Sequence, residues 1–167
     1  MKKIILSLLV LIVFNCKDKK EEPKKVKQEV NYDFIVTASI KTDQADTFQF
    51  VLKDIDNETT IDKTVIQVSE NFKEVQGKVK ARYDFEYPTV LYLGLGYVKP
   101  KKVIIEHFKI SYKGKEHVFT PKDFKEYFTV NRFVEFGEQE GELITKKIDN
   151  QHVPILGLSR KGIDLIK

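Results

Sequence analysis

The chain has 167 residues, 41% hydrophobic and 32% charged, the balance of a globular protein with one domain of ordinary size. Its net charge of +4 does not sit on that domain: Lys2 and Lys3 supply half of it, and residues 17–30 supply the rest, with six Lys against four acids. Residues 31–167 are therefore neutral, without the clustered positive field that phosphate backbones demand, and nucleic acid is excluded as an expected partner.

Met1-Lys2-Lys3 is a short basic start, and Ile4 to Phe14 is apolar except for Ser7, the pattern of a secretory signal. A helix of that length rises only ~16 Å, against a hydrocarbon core of ~30 Å, so cleavage is the better reading than a membrane span. The apolar run ends in Val13-Phe14-Asn15-Cys16, which resembles the lipobox of bacterial lipoproteins. That resemblance implies cleavage before Cys16 and acylation of its thiol. Cys16 is the one cysteine of the chain, so it has no disulfide partner within it. Each acyl methylene contributes ~0.8 kcal/mol to membrane affinity, and two or three chains anchor stably.

Residues 17–30 hold two apolar side chains, too few to fold, and form a charged, extended tether. At most ~3.5 Å per residue, it reaches up to ~50 Å from the lipid. Its mixture of lysines and acids behind the cysteine is similar to the export signal of Bacteroidota lipoproteins that reach the cell surface; a plain solvated spacer explains it equally well. The expected organisation is a signal peptide at 1–15, a lipidated Cys16 with its linker at 16–31, and a β-sandwich domain at 32–167. The expected location is the bacterial outer membrane, on the periplasmic side or the cell surface, with the membrane itself as a partner through the lipid.

From Tyr32 onward apolar residues recur at period two, the mark of half-buried strands. Phe34, Val36, Ala38 and Ile40 share one face of the first strand; residues 42–46 are a turn; Phe48, Phe50 and Leu52 share a face of the second. Residues 54–59 form a polar turn and 65–68 a short strand. Val79, Ala81, Tyr83 and Phe85 alternate with charged residues and predict a strand that Pro88 ends. Strands follow at 90–96 and at 103–112, the latter with Ile104, Phe108, Ile110 and Tyr112 inward. Lys113-Gly114 offers a tight hairpin into 116–119. Thr120, Pro121 and Asp123 start one short helix, with Phe124, Tyr127 and Phe128 on its apolar face and an end near Asn131. Strands resume at 133–136, 143–148, 153–158 and 162–166. The fold class is all-β: a two-sheet antiparallel sandwich of jelly-roll type with one short helix.

The run Tyr92-Leu93-Gly94-Leu95-Gly96, then Val103 to Ile110, then Tyr112-Lys113-Gly114-Lys115, resembles galactose-binding-like jelly-roll domains of carbohydrate-binding modules. Residues 124–134 are similar to a helix-then-strand segment found in some of them. The resemblance covers Tyr83 to Phe136 and rests on hydrophobic pattern. It implies a non-catalytic binding domain with a glycan ligand. The chain departs from those modules in having no Trp.

Candidate site residues are few. Tyr92 and Tyr97 lie near a strand end and offer a stacking surface; core-edge packing is the alternative. Arg82 and Asp84 share the polar face of the predicted strand at 78–86. Asp84 and Glu86 there are ~7 Å apart, a separation that suits paired glycosidase carboxylates, although Arg82 and Lys80 would pair with them. Asp54, Asp56 and Glu58 cluster as oxygen ligands for calcium, or form a plain turn. His107 and His117 flank one hairpin, but the two-residue turn sets 110 against 117, so the imidazoles point to opposite faces and no zinc pair is expected. No Ser-His-Asp spacing, nucleophile elbow or phosphate loop appears, and neither catalysis nor a cofactor is expected. The favoured reading is a lipid-anchored envelope protein that binds a glycan or another envelope protein. The alternatives are a structural interaction protein with protein partners only, and a glycan-active enzyme.

Replacing Cys16 with Ser removes the only acylation site. The variant is expected to leave the membrane pellet for the soluble fraction on ultracentrifugation of the native host's envelopes.

Overall fold

A computed structural model of the chain describes residues 31–81, 84, 85 and 89–167. Among them are eleven strands: β1 (Phe34–Thr42), β2 (Asp46–Asp54), β3 (Thr59–Val68), β4 (Lys73–Val79), β5 (Thr89–Gly94), β6 (Lys102–Tyr112), β7 (Lys115–Phe119), β8 (Phe128–Val130), β9 (Val134–Phe136), β10 (Glu142–Thr145) and β11 (Ile155–Leu158). Two short helices, α1 (Phe124–Tyr127) and α2 (Arg160–Ile166), complete the set, with a 3-10 turn at Pro121–Asp123. The chain is an all-β two-sheet sandwich.

One sheet runs β4-β1-β6-β10-β9, and the other runs β3-β2-β5-β11-β8. Every strand pair is antiparallel. β10 and β7 share one edge of the long β6, β10 on residues 102–104 and β7 on residues 108–112. β1·β4 encloses β2·β3, and β5·β11 encloses β6·β10. This is the double-stranded ribbon wound into a jelly roll, with one arm of its last two pairs supplied by the end of the chain.

The period-two pattern holds wherever both sheets bury their inner faces. Phe34, Val36, Ala38 and Ile40 meet Phe48, Phe50, Leu52, Leu91 and Leu93 in one core. Phe34 stacks on Tyr112 at 4.5 Å between ring centroids, and Phe85 packs edge-on to Phe34 at 4.9 Å. Toward the helices Phe128 takes Phe108, Phe119 and Phe124 at 5.3, 5.0 and 5.0 Å. Such offset and edge contacts add to the area they bury.

Four expectations change. In β6 the register slips between Ser39 and Ile40, making Glu106 the extra residue of a bulge. The inward set becomes Val103, Ile105, Phe108, Ile110 and Tyr112, and Ile104 turns outward. Of the strand predicted at 78–86, only Lys78 and Val79 among the described residues are in a strand, as the end of β4, and Lys80, Ala81, Asp84 and Phe85 are in irregular chain. The helix predicted to reach Asn131 stops at Tyr127, because Phe128–Val130 pairs with β11 as β8. The strand predicted at 162–166 is a second helix, capped by the Ser159 hydroxyl accepting from the Gly162 amide at 3.3 Å. The turn expected at 42–46 is present at 43–45, where the chain crosses from one sheet to the other.

Gly77 of β4 faces inward, where an added Cβ would stand 2.5 Å from the Phe50 ring and 3.1 Å from the Thr64 methyl. Overpacking of this kind costs about 1–3 kcal/mol. Gly77→Ala is expected to lower the urea midpoint accordingly, with an unchanged denaturant slope in equilibrium unfolding.

Candidate functional site

The second sheet turns an outer face to solvent, and its register aligns the side chains there in rows. Val51 pairs with Lys63 and Tyr92, Gly157 pairs with Tyr92 and Thr129, and Gly94 pairs with Gln49 and Ile155. Two glycines thus sit on adjacent strands of this face, diagonal to each other. Glycine in a strand interior weakens it and commonly marks a close approach. Gly157 lines a trough of about 310 Å³ on this face, together with Lys53, Val90, Tyr92, Thr129 and Ile155 among others. At Gly94 the approaching group is the Tyr97 hydroxyl, 3.2 Å from where a Cβ would stand. Tyr97 is 45% exposed and Tyr92 is half-buried. Burial first, then the neighbouring Tyr97, raises the Tyr92 phenol above its ordinary pKa. Tyr92 and Gly94 share one face of β5, so the Tyr97 hydroxyl at Gly94 brings the two tyrosines near each other on it as an aromatic ledge. Asn131, which also borders the trough, is occupied by the fold: its Oδ1 accepts from the Phe133 and Ile155 amides and its Nδ2 donates to the Val153 carbonyl.

The loop that carries Tyr97, residues 95–101, closes over a buried polar cluster. The Lys101 side chain has 0% exposure, and its ammonium lies 2.5 Å from the Asp46 carboxylate at the start of β2. The same ammonium donates to the Leu95 carbonyl at 3.2 Å. Gly96 has φ +79°, and an added Cβ would strike the Asp46 carboxylate, so glycine is required there on both counts. Thr145, at the end of β10, accepts from the Lys101 amide at 2.8 Å and donates to the Lys101 carbonyl at 3.2 Å. A ring nitrogen of the buried His152 meets the Thr145 hydroxyl at 3.1 Å. Burial, assisted by the charges of Lys101 and Lys147, holds the His152 pKa below its ordinary value, against the pull of Asp46 and the Tyr97 backbone.

The other residues singled out from sequence fall elsewhere. Cys16 and Arg82 lie outside the described residues, as does Glu86. Asp84 does not join the tyrosines. It accepts from the Tyr112 hydroxyl at 2.5 Å and pairs with Lys113, and these bonds, Lys113 first, hold its carboxyl below the usual range. It borders a separate cavity of about 360 Å³ with Leu52, Asp54 and Phe85. The Tyr112 phenol is pushed strongly upward by burial and then by Asp84.

Asp54, Asp56 and Glu58 do not converge as calcium ligands would. Asp54 Oδ1 accepts from the Asp56 and Asn57 amides at 3.0 and 3.1 Å, and its Oδ2 accepts from the Asn57 side chain at 2.8 Å. Those bonds lower its pKa and close the β2–β3 turn, with Glu58 at φ +53°. Among the described residues no three His, Cys, Asp or Glu side chains assemble into a metal-holding group.

Ile110 pairs with His117, as the hairpin spacing predicts; His107 turns outward to Glu74 at 3.6 Å, while His117 packs on Phe119. Ser39 neighbours His107 across the strands but donates its hydroxyl to Glu106 at 2.8 Å. Lys101, Asp46, Thr145 and His152 were beyond sequence reasoning: Lys99-Pro100-Lys101-Lys102 reads as a solvated run, and nothing in it marks one lysine as buried.

No family model, no curated protein and no solved structure matches the chain.

The depressed His152 pKa has a defined sign. The unfolded imidazole binds its proton near pH 6.5, the folded one only at lower pH, so stability falls as pH drops through 6.5 toward the folded value. One proton limits the slope to ~1.4 kcal/mol per pH unit. The melting temperature is expected to decrease from pH 7.5 to pH 5.5, and His152→Gln is expected to flatten that decrease in calorimetry.

Proposed function

We propose that this chain is a lipid-anchored lipoprotein of the bacterial envelope whose sandwich domain binds a glycan without catalysis. One observation carries the ligand reading: Tyr92 lines a trough on the outer face of a sheet, and the Tyr97 hydroxyl comes down on Gly94, two residues along the same strand face, so that two tyrosines form an aromatic ledge beside the trough. A sugar ring has an apolar face of C–H groups, and an aromatic face buries it with little entropy cost because tyrosine has few rotamers. Around the ledge stand Lys53, Thr129 and Gln49, polar side chains that suit hydroxyl groups. The ledge replaces the tryptophan platforms that the chain lacks.

The anchor gives the site its direction. The described chain enters the sandwich at Phe34, the start of β1, while Tyr97 belongs to the loops at the end where β1 finishes: the Asp43 amide bonds the Lys102 carbonyl and Gln44 bonds the Pro100 carbonyl. A lipid on Cys16 would hold the first end near the bilayer and leave the ledge facing away from it. A protein partner is the second reading, favoured by the exposed apolar side chains Phe72, Val98 and Val153 at that same outer end.

A glycan array with the purified protein, followed by titration of the best hit, tests the first reading. Tyr92→Ala and Tyr97→Ala are each expected to weaken binding about 10- to 100-fold. Tyr97→Ala is expected to leave the melting temperature unchanged, because the ring is half exposed on a loop. A silent array, down to millimolar affinity, removes the glycan reading and leaves the protein partner.

A further inference from the structure

Lys101 holds its ammonium without solvent, and its geometry points to a use. Taking an ion pair out of water costs several kcal/mol per ion before the partners return anything, so a fully buried pair is poor evidence of a stabilising device. Such a pair does fix orientation, because each partner accepts few alternative placements. Apart from the Thr47 amide, which donates to Asp46 within β2, the contacts of the Lys101–Asp46 pair bear on the loop that carries Tyr97. Lys101 ends that loop and donates to the carbonyl of Leu95, which begins it. Gly96, next to Tyr97, packs its α-carbon against the Asp46 carboxylate. Thr145 clamps the Lys101 backbone from both its amide and its carbonyl. The Leu95 amide donates to Pro154 at 3.0 Å, two residues from His152. The loop is therefore gathered at both ends onto one buried charge pair, and Tyr97 is its outward product.

We infer that Lys101 and Asp46 are positioning residues: their buried pair holds the 95–101 loop so that the Tyr97 hydroxyl stays against Gly94, on the strand face that carries Tyr92. This rests on the reading of the two tyrosines as the ligand-binding ledge, but its structural half stands apart from any ligand. Neither side chain touches the trough; Lys101 is sealed beneath the loop and Asp46 is nearly so. Without the pair the loop retains its sequence and its tyrosine but loses the register that sets the hydroxyl on the glycine.

The test compares Lys101→Met, which keeps length and removes charge, and Asp46→Asn, which keeps shape, with the unaltered protein. Amide hydrogen exchange is read at residues 95–99 and at the core strand β6, and affinity is read with the best glycan of the array. The expected result is exchange at 95–99 faster by at least about tenfold, with Phe108 and Ile110 still protected, and a matching loss of affinity. Tyr97→Ala serves as the control that loses affinity without loss of protection at Leu95.

Unchanged protection at 95–99 in both variants overturns the inference. So does a uniform loss of protection through β6, or a failure of both variants to fold, since either makes the pair a general prop of the sandwich. If the unaltered protein binds no glycan, the ligand reading fails by itself, and exchange together with the Tyr97 ring contacts in NMR still decides whether the pair positions the loop.

Discussion

A buried lysine must be answered by charge and hydrogen bonds, and in this sandwich the answer comes from both sheets at once. Asp46 opens β2 in one sheet, Lys101 directly precedes β6 in the other, and Thr145 closes β10 beside it. One end of the sandwich is thus tied across its core by a polar cluster, where the rest of the core is held by apolar contact. Hydrophobic packing is nondirectional and tolerates repacking. The ion pair does not, and so it specifies how the crossing at 43–45, the loop 95–101 and the chain around His152 sit together. The opposite end has its own polar tie, with Tyr112 and Lys113 converging on Asp84 beside the Phe34–Phe85–Tyr112 aromatic cluster. There, however, the carboxylate is partly in water, and the aromatics carry the packing.

The outer face of the second sheet shows what a sheet surrenders to make a surface. Glycines at 94 and 157 forgo cross-strand side-chain contacts, which are the unit of sheet stabilisation, and add backbone freedom to the unfolded chain. Val51, outward by strand parity, is nonetheless buried on this face, so the surface is not a simple solvated one. A face that gives up contacts at two neighbouring positions and sets tyrosines beside them differs from the outer face of the first sheet. There Gln76 bridges to Thr37, Ser39 bonds Glu106 and His107 meets Glu74. That face is closed by its own polar network, whereas the tyrosine face leaves a trough.

Much of this could be read from the sequence, and the failures have physical causes. Alternation located β1, β2, β6 and β7 because each buries one face. It misplaced Ile104 because a bulge at Glu106 adds one residue to the period, and the spacing from Ile105 to Phe108 was its visible trace. It carried a strand through residue 85, since side-chain alternation says nothing of whether a partner strand is present, and β1, the partner of β4, begins only at Phe34 opposite Val79. The C-terminal helix was missed because Gly162 to Ile166 is too short for either period to declare itself; Ser159 as a cap was the available signal. Tyr92 and Tyr97 were legible as candidates, but the glycines that make room for them gained meaning only from the pairing of β5 with β11. Lys101 was illegible, because burial of a charge is decided by Asp46, fifty-five residues away in the chain, and no local pattern reports it.

The winding order bears on how the domain would be displayed. In this jelly roll the first described strand, β1, is an interior strand of its sheet, and the strands that complete the nested pairs, β10 and β11, arrive last. The entering segment therefore comes to the middle of one end of the sandwich, not to an edge strand. β1 spans nine residues, about 30 Å at the usual rise, before the chain reaches the end where the loops gather. An anchor attached before β1 would then add the length of the sandwich to that of the tether in setting the height of the tyrosine ledge. On the proposed reading, a face on the side of a sheet, close to the far end, would reach a neighbouring polymer or partner alongside the membrane without requiring the domain to lie down on it. Loop ordering and tether length would act on the same quantity, the local concentration of a correctly oriented ledge, one through conformational entropy and the other through reach. The buried pair is the one of the two built into the fold.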